Sequence, residues 1–224
     1  FAWQIYFDFS AYTDMARGSA RIMGFKLSLN FKNPYTSTSL SEFWSRWHIS
    51  LSTWFRDYVY FPLGGNKKGS KRTYINLLSV FIISGLWHGA AWTFIAWGLL
   101  HGVGLTAEKA LNNVKFTKIR LPRLIKITFT FLLVCAGWIF FRSRSIDEAL
   151  IVYRKIFSLE WNDPQFPLFL LLMIGAVWIY QLIFESKMKN ILTENWIRVP
   201  LLLGMIIYLF FCSSEGDQFI YFQF

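Results

Sequence analysis

Cysteine is scarce, and its scarcity removes two function classes at once. Cys135 and Cys212 are the only two in 224 residues. Both fall inside apolar runs without paired Cys/His spacing, so neither a disulfide framework nor a zinc site is supported. Charge is thin as well: Asp, Glu, Lys and Arg make up 16% of the chain, against about 25% in soluble domains. No Gly-rich phosphate loop, dinucleotide-binding glycine fingerprint or metal-ligand cluster occurs, which leaves ATP-driven transport and redox chemistry without a sequence basis. The G-x-S-x-G nucleophile elbow is missing too. There is no internal repeat, no low-complexity tract and no segment of cleavable signal-peptide form.

What is present is apolar and aromatic. Hydrophobic residues make up 54% of the chain and aromatics 20%, with a mean hydropathy of +0.36. Several windows approach the ~20 apolar residues that cross a hydrocarbon core. The reading is an all-α, polytopic transmembrane protein, a single membrane-embedded domain over 1–224. The chain opens at Phe1 within an aromatic-rich segment and reads as the C-terminal portion of a longer protein. A net charge of +10 would raise nucleic-acid binding in a soluble protein. Here the cations sit in short loops between apolar runs, a pattern that suits anionic headgroups and topology signals instead.

Along the chain, residues 1–30 mix aromatics with Asp8, Asp14, Arg17 and Arg21 and predict a helix in partly polar surroundings, closed by a turn at Asn30–Pro34. An Asp–Arg salt bridge is the favoured role for Asp8 and Asp14. Residues 40–61 predict one amphipathic helix, since Trp44, His48, Leu51, Phe55 and Tyr58 recur at helical spacing. Pro62, Gly64 and Gly65 end it, and the basic loop Lys67, Lys68, Lys71, Arg72 follows. Residues 74–106 are too long for one crossing and short for two, so a broken or re-entrant helix pair around His88 is expected. Spans follow at about 124–141, 166–184 and 199–213. If 74–106 crosses once, each side of the membrane receives eight Lys/Arg. The positive-inside rule then returns a tie.

The chemistry-bearing stretch is Ser84-Gly85-Leu86-Trp87-His88-Gly89-Ala90-Ala91-Trp92. An ionisable side chain at membrane depth is costly and reads first as functional, and imidazole suits proton transfer near neutral pH. The small residues Gly85 and Gly89 leave room for a substrate or for a neighbouring helix. A histidine hydrogen-bonded between helices is the competing reading. His48 lies on the apolar stripe of its predicted helix, where an interface role leads. For His101, within Gly98-Leu99-Leu100-His101-Gly102, a structural role is favoured. The Trp and Tyr residues of 44–60 read as an interfacial belt.

Longer motifs tie these residues together. Tyr6 to Ala16 (YFDFSAYTDMA), Gly24-Phe25 through Asn33-Pro34-Tyr35, Glu42 to Tyr58 (EFWSRWHISLSTWFRDY), Pro62-Leu63-Gly64-Gly65, Ser84 to Ala90 and the terminal Phe219 to Phe224 occur in order. In this set the chain resembles the membrane-bound O-acyltransferase family, in its bacterial alginate O-acetylation branch. The likeness is dense over 1–106 and thinner beyond. It implies a ring of tilted helices around a funnel, of which this chain would supply a part, in the bacterial cytoplasmic membrane. By the same resemblance His88 and His48 correspond to the family's two characteristic histidines. The implied activity moves an acyl group from a cytoplasmic donor, acetyl-CoA or an acyl-carrier thioester, to a hydroxyl acceptor such as an extracytoplasmic polysaccharide. An extracytoplasmic acetyltransferase is the implied protein partner, alongside the lipid bilayer. No bound cofactor, metal or nucleic acid is expected. A non-catalytic conduit or export subunit of a polysaccharide-modification complex is the alternative; two histidines in their motifs favour catalysis.

Overall fold

The computed structural model describes residues 1–113, 121–158 and 168–212. Among these, every regular element is helical. The terminal Phe219–Phe224 motif and the cations Lys115, Lys118 and Arg120 lie outside the described residues. The chain divides into two compact units, one carrying every element through the helix Ile146–Ser158 and the other carrying the last two helices.

Helix α1, Ala2–Ile22, stops earlier than the sequence predicts. The stop is chemical. Gly24 takes a left-handed φ of 86°, and the amides of Gly24 and Phe25 donate to the carbonyls of Arg21 and Ala20. That is the glycine-dependent helix end in which reversed hydrogen bonds satisfy the last carbonyls. Asp14 pairs with Arg17 at 2.7 Å on the exposed side of α1, as expected of those residue types.

The predicted helix over 40–61 is three pieces. Helix α2 spans Leu40–Arg46, α3 spans Ile49–Phe55, and a five-residue π-helical segment follows at Arg56–Tyr60. Ser39 caps α2 by accepting the Glu42 amide at 3.1 Å, and the Glu108 carboxylate accepts the Leu40 amide at 2.8 Å. Burial alone would raise the Glu42 pKa, but hydrogen bonds from Thr38 and the nearby Arg46 guanidinium bring it below its ordinary value. Each partner satisfies an amide or charge that would otherwise be stranded at a helix start.

Helices α4, Gly69–His88, and α5, Trp92–Asn113, form the hairpin expected around His88. Glycines let their backbones touch: a Cβ on Gly85 would collide with the Phe94 carbonyl, and one on Gly98 with the Phe81 carbonyl. Asn76, buried on α4, donates to the carbonyls of Leu63 and Gly65 at 3.3 and 3.0 Å and so holds the Pro62–Gly65 turn against the hairpin. Helix α6, Arg123–Arg142, packs against α5. Residues 142–165 are not simply a loop, because α7, Ile146–Ser158, lies within them and Tyr153 donates from it to the Ala136 carbonyl of α6 at 2.6 Å.

The second unit holds α8, Leu168–Phe184, a 3₁₀ segment Lys187–Thr193, and α9, Asn195–Cys212, with Pro200 inside it. Among the described residues, one helix, Arg123–Arg142, is by itself long and apolar enough to cross a membrane, and Leu171–Phe184 and Asn195–Tyr208 are shorter apolar stretches. Helix α4 at 20 residues reaches about 30 Å, but Lys71, Arg72, Asn76, Ser84 and His88 dilute its hydropathy.

Candidate active site

The site grows from the break between α2 and α3. His48 occupies it with φ 44° and ψ 54°, a left-handed backbone uncommon for any residue other than glycine. Such a conformation costs of order 1–3 kcal/mol and persists only where its surroundings over-determine it. Here they do. The Asn30 carbonyl accepts the Ile49 amide at 3.0 Å, and the Asn30 side chain accepts the Ser50 amide at 3.1 Å and the Ser50 hydroxyl at 2.6 Å. On the other side of His48, the Lys32 amide donates to the Arg46 carbonyl at 3.0 Å. The loop from 25 to 35 thus laces the break shut. The apolar stripe read through His48 is therefore interrupted at His48 itself.

From that pose the His48 ring meets Phe9 of α1 edge to face, centroids 4.7 Å apart, with Ser50 Oγ 3.4 Å from Nδ1. His88 closes the last turn of α4. Its ring is boxed by Trp87, Trp97 and Phe141 at 5.0, 5.2 and 5.1 Å, with Phe94 stacked at 6.3 Å. Both histidines are half-buried, and the two imidazoles lie within electrostatic reach of one another.

Behind them stands a continuous aromatic wall. Trp47 meets Trp138 at 5.0 Å, Trp138 stacks on Trp97 at 6.3 Å, and Trp97 reaches His88. Tyr35 anchors the far end, donating to the Ala2 carbonyl at 2.7 Å while its oxygen accepts the Trp138 indole N–H at 3.2 Å. Aromatic pairs of this kind contribute about 0.5–1.5 kcal/mol each beyond buried area. The belt expected of 44–60 is only partly there: Trp47 is core, whereas Trp54 and Tyr58 are exposed.

The space left by Gly85 and Gly89 is taken by Phe94, since a Cβ on Gly89 would stand 2.5 Å from its ring. Those glycines serve helix contact. Trp92, just past the break, is 75% exposed, and Trp97 and Phe141 flank the His88 ring. A separate cavity of about 530 Å³, lined by Cys135, Trp138, Arg142 and Glu148 among others, has neither His48 nor His88 in its wall. Asn30 and Trp97 are the positioning residues that local sequence pattern did not single out. A side-chain amide 18 residues ahead of the break offers no periodic signal.

Comparison with known proteins bears on the same region. The model of the membrane-bound O-acyltransferase family matches residues 1–146. The chain belongs to that family. A probable alginate O-acetylase of Pseudomonas putida is 50% identical over 164 residues, covering 71% of this chain and 33% of that protein. A peptidoglycan O-acetyltransferase of Helicobacter pylori is 34% identical over 253 aligned positions, covering all of this chain and 48% of its own length. A teichoic acid D-alanyltransferase of Bacillus subtilis is 35% identical over 156 residues, 64% of this chain and 40% of that protein. The chain therefore spans between a third and a half of the first two acyltransferases. The family match covers both histidines and the whole aromatic wall.

Proposed function

We propose that the protein is a bacterial membrane O-acyltransferase, that His88 is its general base, and that it passes acetyl groups from a cytoplasmic thioester toward hydroxyls of an extracytoplasmic polysaccharide. The observation that carries this reading is the pairing of half-buried His88 with a strained, deliberately held His48. Residues in sparsely populated backbone regions cluster at active sites.

The chemistry follows from the acceptor. A hydroxyl is a weak nucleophile at neutral pH, so its proton must leave as its oxygen attacks the acyl carbon. In the proposed step the His88 imidazole takes that proton while the new C–O bond forms. The tetrahedral oxyanion then collapses, the C–S bond of the donor breaks, and the thiolate leaves with the proton returned. In the same reading His48 donates a hydrogen bond to the oxyanion. The ring box fixes the His88 plane, so little reorganisation is needed when charge develops. Relatives named for alginate and peptidoglycan O-acetylation point to a polysaccharide acceptor, with an extracytoplasmic acetyltransferase as protein partner. Turnover of a thioester donor by the purified full-length protein tests the reading; stoichiometric binding without turnover would favour a conduit.

Asn30 supplies a sharper test. Asn30→Ala removes both side-chain hydrogen bonds to Ser50 and releases the left-handed His48. We expect transfer to fall about tenfold or more with a stability loss of only about 1–2 kcal/mol. His48→Gln, which keeps a donor, is expected to lose less. Equal rates in Asn30→Ala and native protein would remove His48 from the mechanism.

The donor is proposed to arrive at Lys67, Lys68, Lys71 and Arg72. These cations crowd the N-terminus of α4, where the helix dipole already favours negative charge and repels positive. The summed positive field suits anionic headgroups and an anionic thioester donor such as coenzyme A or an acidic carrier protein. Ser70→Cys in intact cells is expected to react with a membrane-impermeant maleimide only after permeabilisation. Labelling from outside would sink the assignment.

A further inference from the structure

Behind the candidate site, three rings close into a triangle. Trp44, Trp97 and His101 lie with centroids 5.6, 5.1 and 5.3 Å apart, pair by pair. Phe43 and Phe81 stack against the imidazole at 6.5 and 6.3 Å. His101 is fully buried at 0% exposure and Trp97 nearly so at 1%. Yet among the described residues Trp44 Nε1, Trp97 Nε1 and both His101 ring nitrogens are buried without a hydrogen-bond partner.

Four stranded polar atoms on three touching rings require a physical account. A buried polar group left unpaired costs about 1–3 kcal/mol. A phenylalanine at 101 would pack between Phe43 and Phe81 with no such cost, so an imidazole there implies a polar guest. The geometry restricts where the guest sits. A Cβ on Gly137 would stand 2.5 Å from His101 Nε2, so that nitrogen abuts the α6 backbone and has no room beside it. Nδ1 and the two indole nitrogens remain. An indole N–H only donates, whereas a neutral imidazole nitrogen either donates or accepts according to tautomer. The complementary guest must accept from the indoles and also be able to donate. Water does both, and buried waters typically make about three hydrogen bonds.

We propose that Trp44, Trp97 and His101 enclose one water molecule, and that this polar knot fixes the pose in which Trp97 meets His88. Trp97 stands edge to face between the two histidines, 5.3 Å from His101 and 5.2 Å from His88. Turning its indole toward the water presents its ring to His88. His101 is then a positioning residue, one ring removed from the reacting atoms. This second half rests on the reading of His88 as base.

The test uses the full-length protein in lipid nanodiscs, native and with His101→Phe or His101→Gln. A high-resolution density map of the native protein should show a water roughly 2.7–3.2 Å from Nδ1 and from at least one indole nitrogen. His101→Phe should lack that density and lose about tenfold or more in kcat, with KM held within about twofold. His101→Gln, which can still bind the water, should recover most of the rate. A dry triangle in the native map, or native kcat in His101→Phe, overturns the proposal. Should His101→Phe not accumulate, the native map and the Gln variant decide it: a dry map, or a Gln variant about tenfold slower, counts against. A His88→Ala protein that still turns over sinks the base reading, whereas the map and the His101 variants decide this one separately.

Discussion

His88→Ala in the full-length protein is expected to insert and accumulate like the native chain while polymer acylation falls to background. The two halves of that result have different physical sources. General base catalysis contributes about 10²–10⁴-fold, and the four rings that box His88, Trp87, Phe94, Trp97 and Phe141, carry no group that could take over the proton. Loss of the base alone therefore carries the rate below detection in a polymer assay. The fold does not depend on the imidazole in the same way. His88 is only half-buried and ends its helix, so truncation opens a shallow gap at the edge of the aromatic wall. The hairpin contacts at Gly85 and Gly98 stay intact. A stability loss of about 1–2 kcal/mol is the expected scale, below that of a fully buried large-to-small change. Radiolabelled acetate in the isolated polymer, normalised to membrane-extracted protein, gives the measurement. Acylation near the native level in that variant would falsify the base assignment; loss of protein together with activity would mean the ring is structural.

How far the sequence carried the fold depends on whether a signal was local. The α4–α5 hairpin was legible because 33 residues from 74 to 106 fit neither one crossing nor two, and the glycines marked the break beside His88. Helix α6 was legible because an uninterrupted apolar run has a single reading. The division of 40–61 was not, because its apolar spacing continues in register across His48. What breaks the helix there is a separate loop in which Asn30 accepts from Ile49 and Ser50 and the Lys32 amide donates to Arg46. Periodicity cannot report a hydrogen bond made from 18 residues away. The site shows the same division. Composition and local pattern named His88 and His48, the family resemblance joined them, and Trp47, one member of the aromatic wall that supports them, was read with 44–60 as an interfacial belt. Trp47, Trp97 and Trp138 are indistinguishable from belt tryptophans until α2, α5 and α6 are packed together. The glycines beside His88 left two readings open, room for a substrate or for a neighbouring helix, since a missing side chain signals space without saying what fills it; Phe94 fills it.

Gly98→Val is expected to have the opposite outcome to His88→Ala: activity is lost because the hairpin no longer forms. At Gly98 the obstacle to a Cβ is the Phe81 carbonyl, and at Gly85 it is the Phe94 carbonyl, both backbone atoms that cannot rotate aside. The two sites sit on opposite helices and interlock, so separating the backbones at one loosens the other. Between helices in a membrane, where lipid is as apolar as the side chains, van der Waals contact through small residues is the main source of association. Overpacking by a single methyl costs about 1–3 kcal/mol. Valine adds two further carbons at the same point and stiffens the side chain against relief. The expected order of destabilisation is Gly98→Val, then Gly98→Ala and Gly85→Ala, then Gly102→Ala, whose Cβ would crowd Leu78 and Phe81 at 3.2 Å without meeting a carbonyl. Gly18→Ala on the exposed side of α1 is the control. Its Cβ would meet nothing within 4 Å, so relief of helix-glycine entropy should stabilise by about 0.5–1 kcal/mol. Thermal unfolding of the detergent-extracted full-length proteins, followed by size-exclusion fluorescence, reads out the series. A Gly98→Ala protein melting at or above the native temperature would mean that α4 and α5 do not approach as closely as their glycines allow.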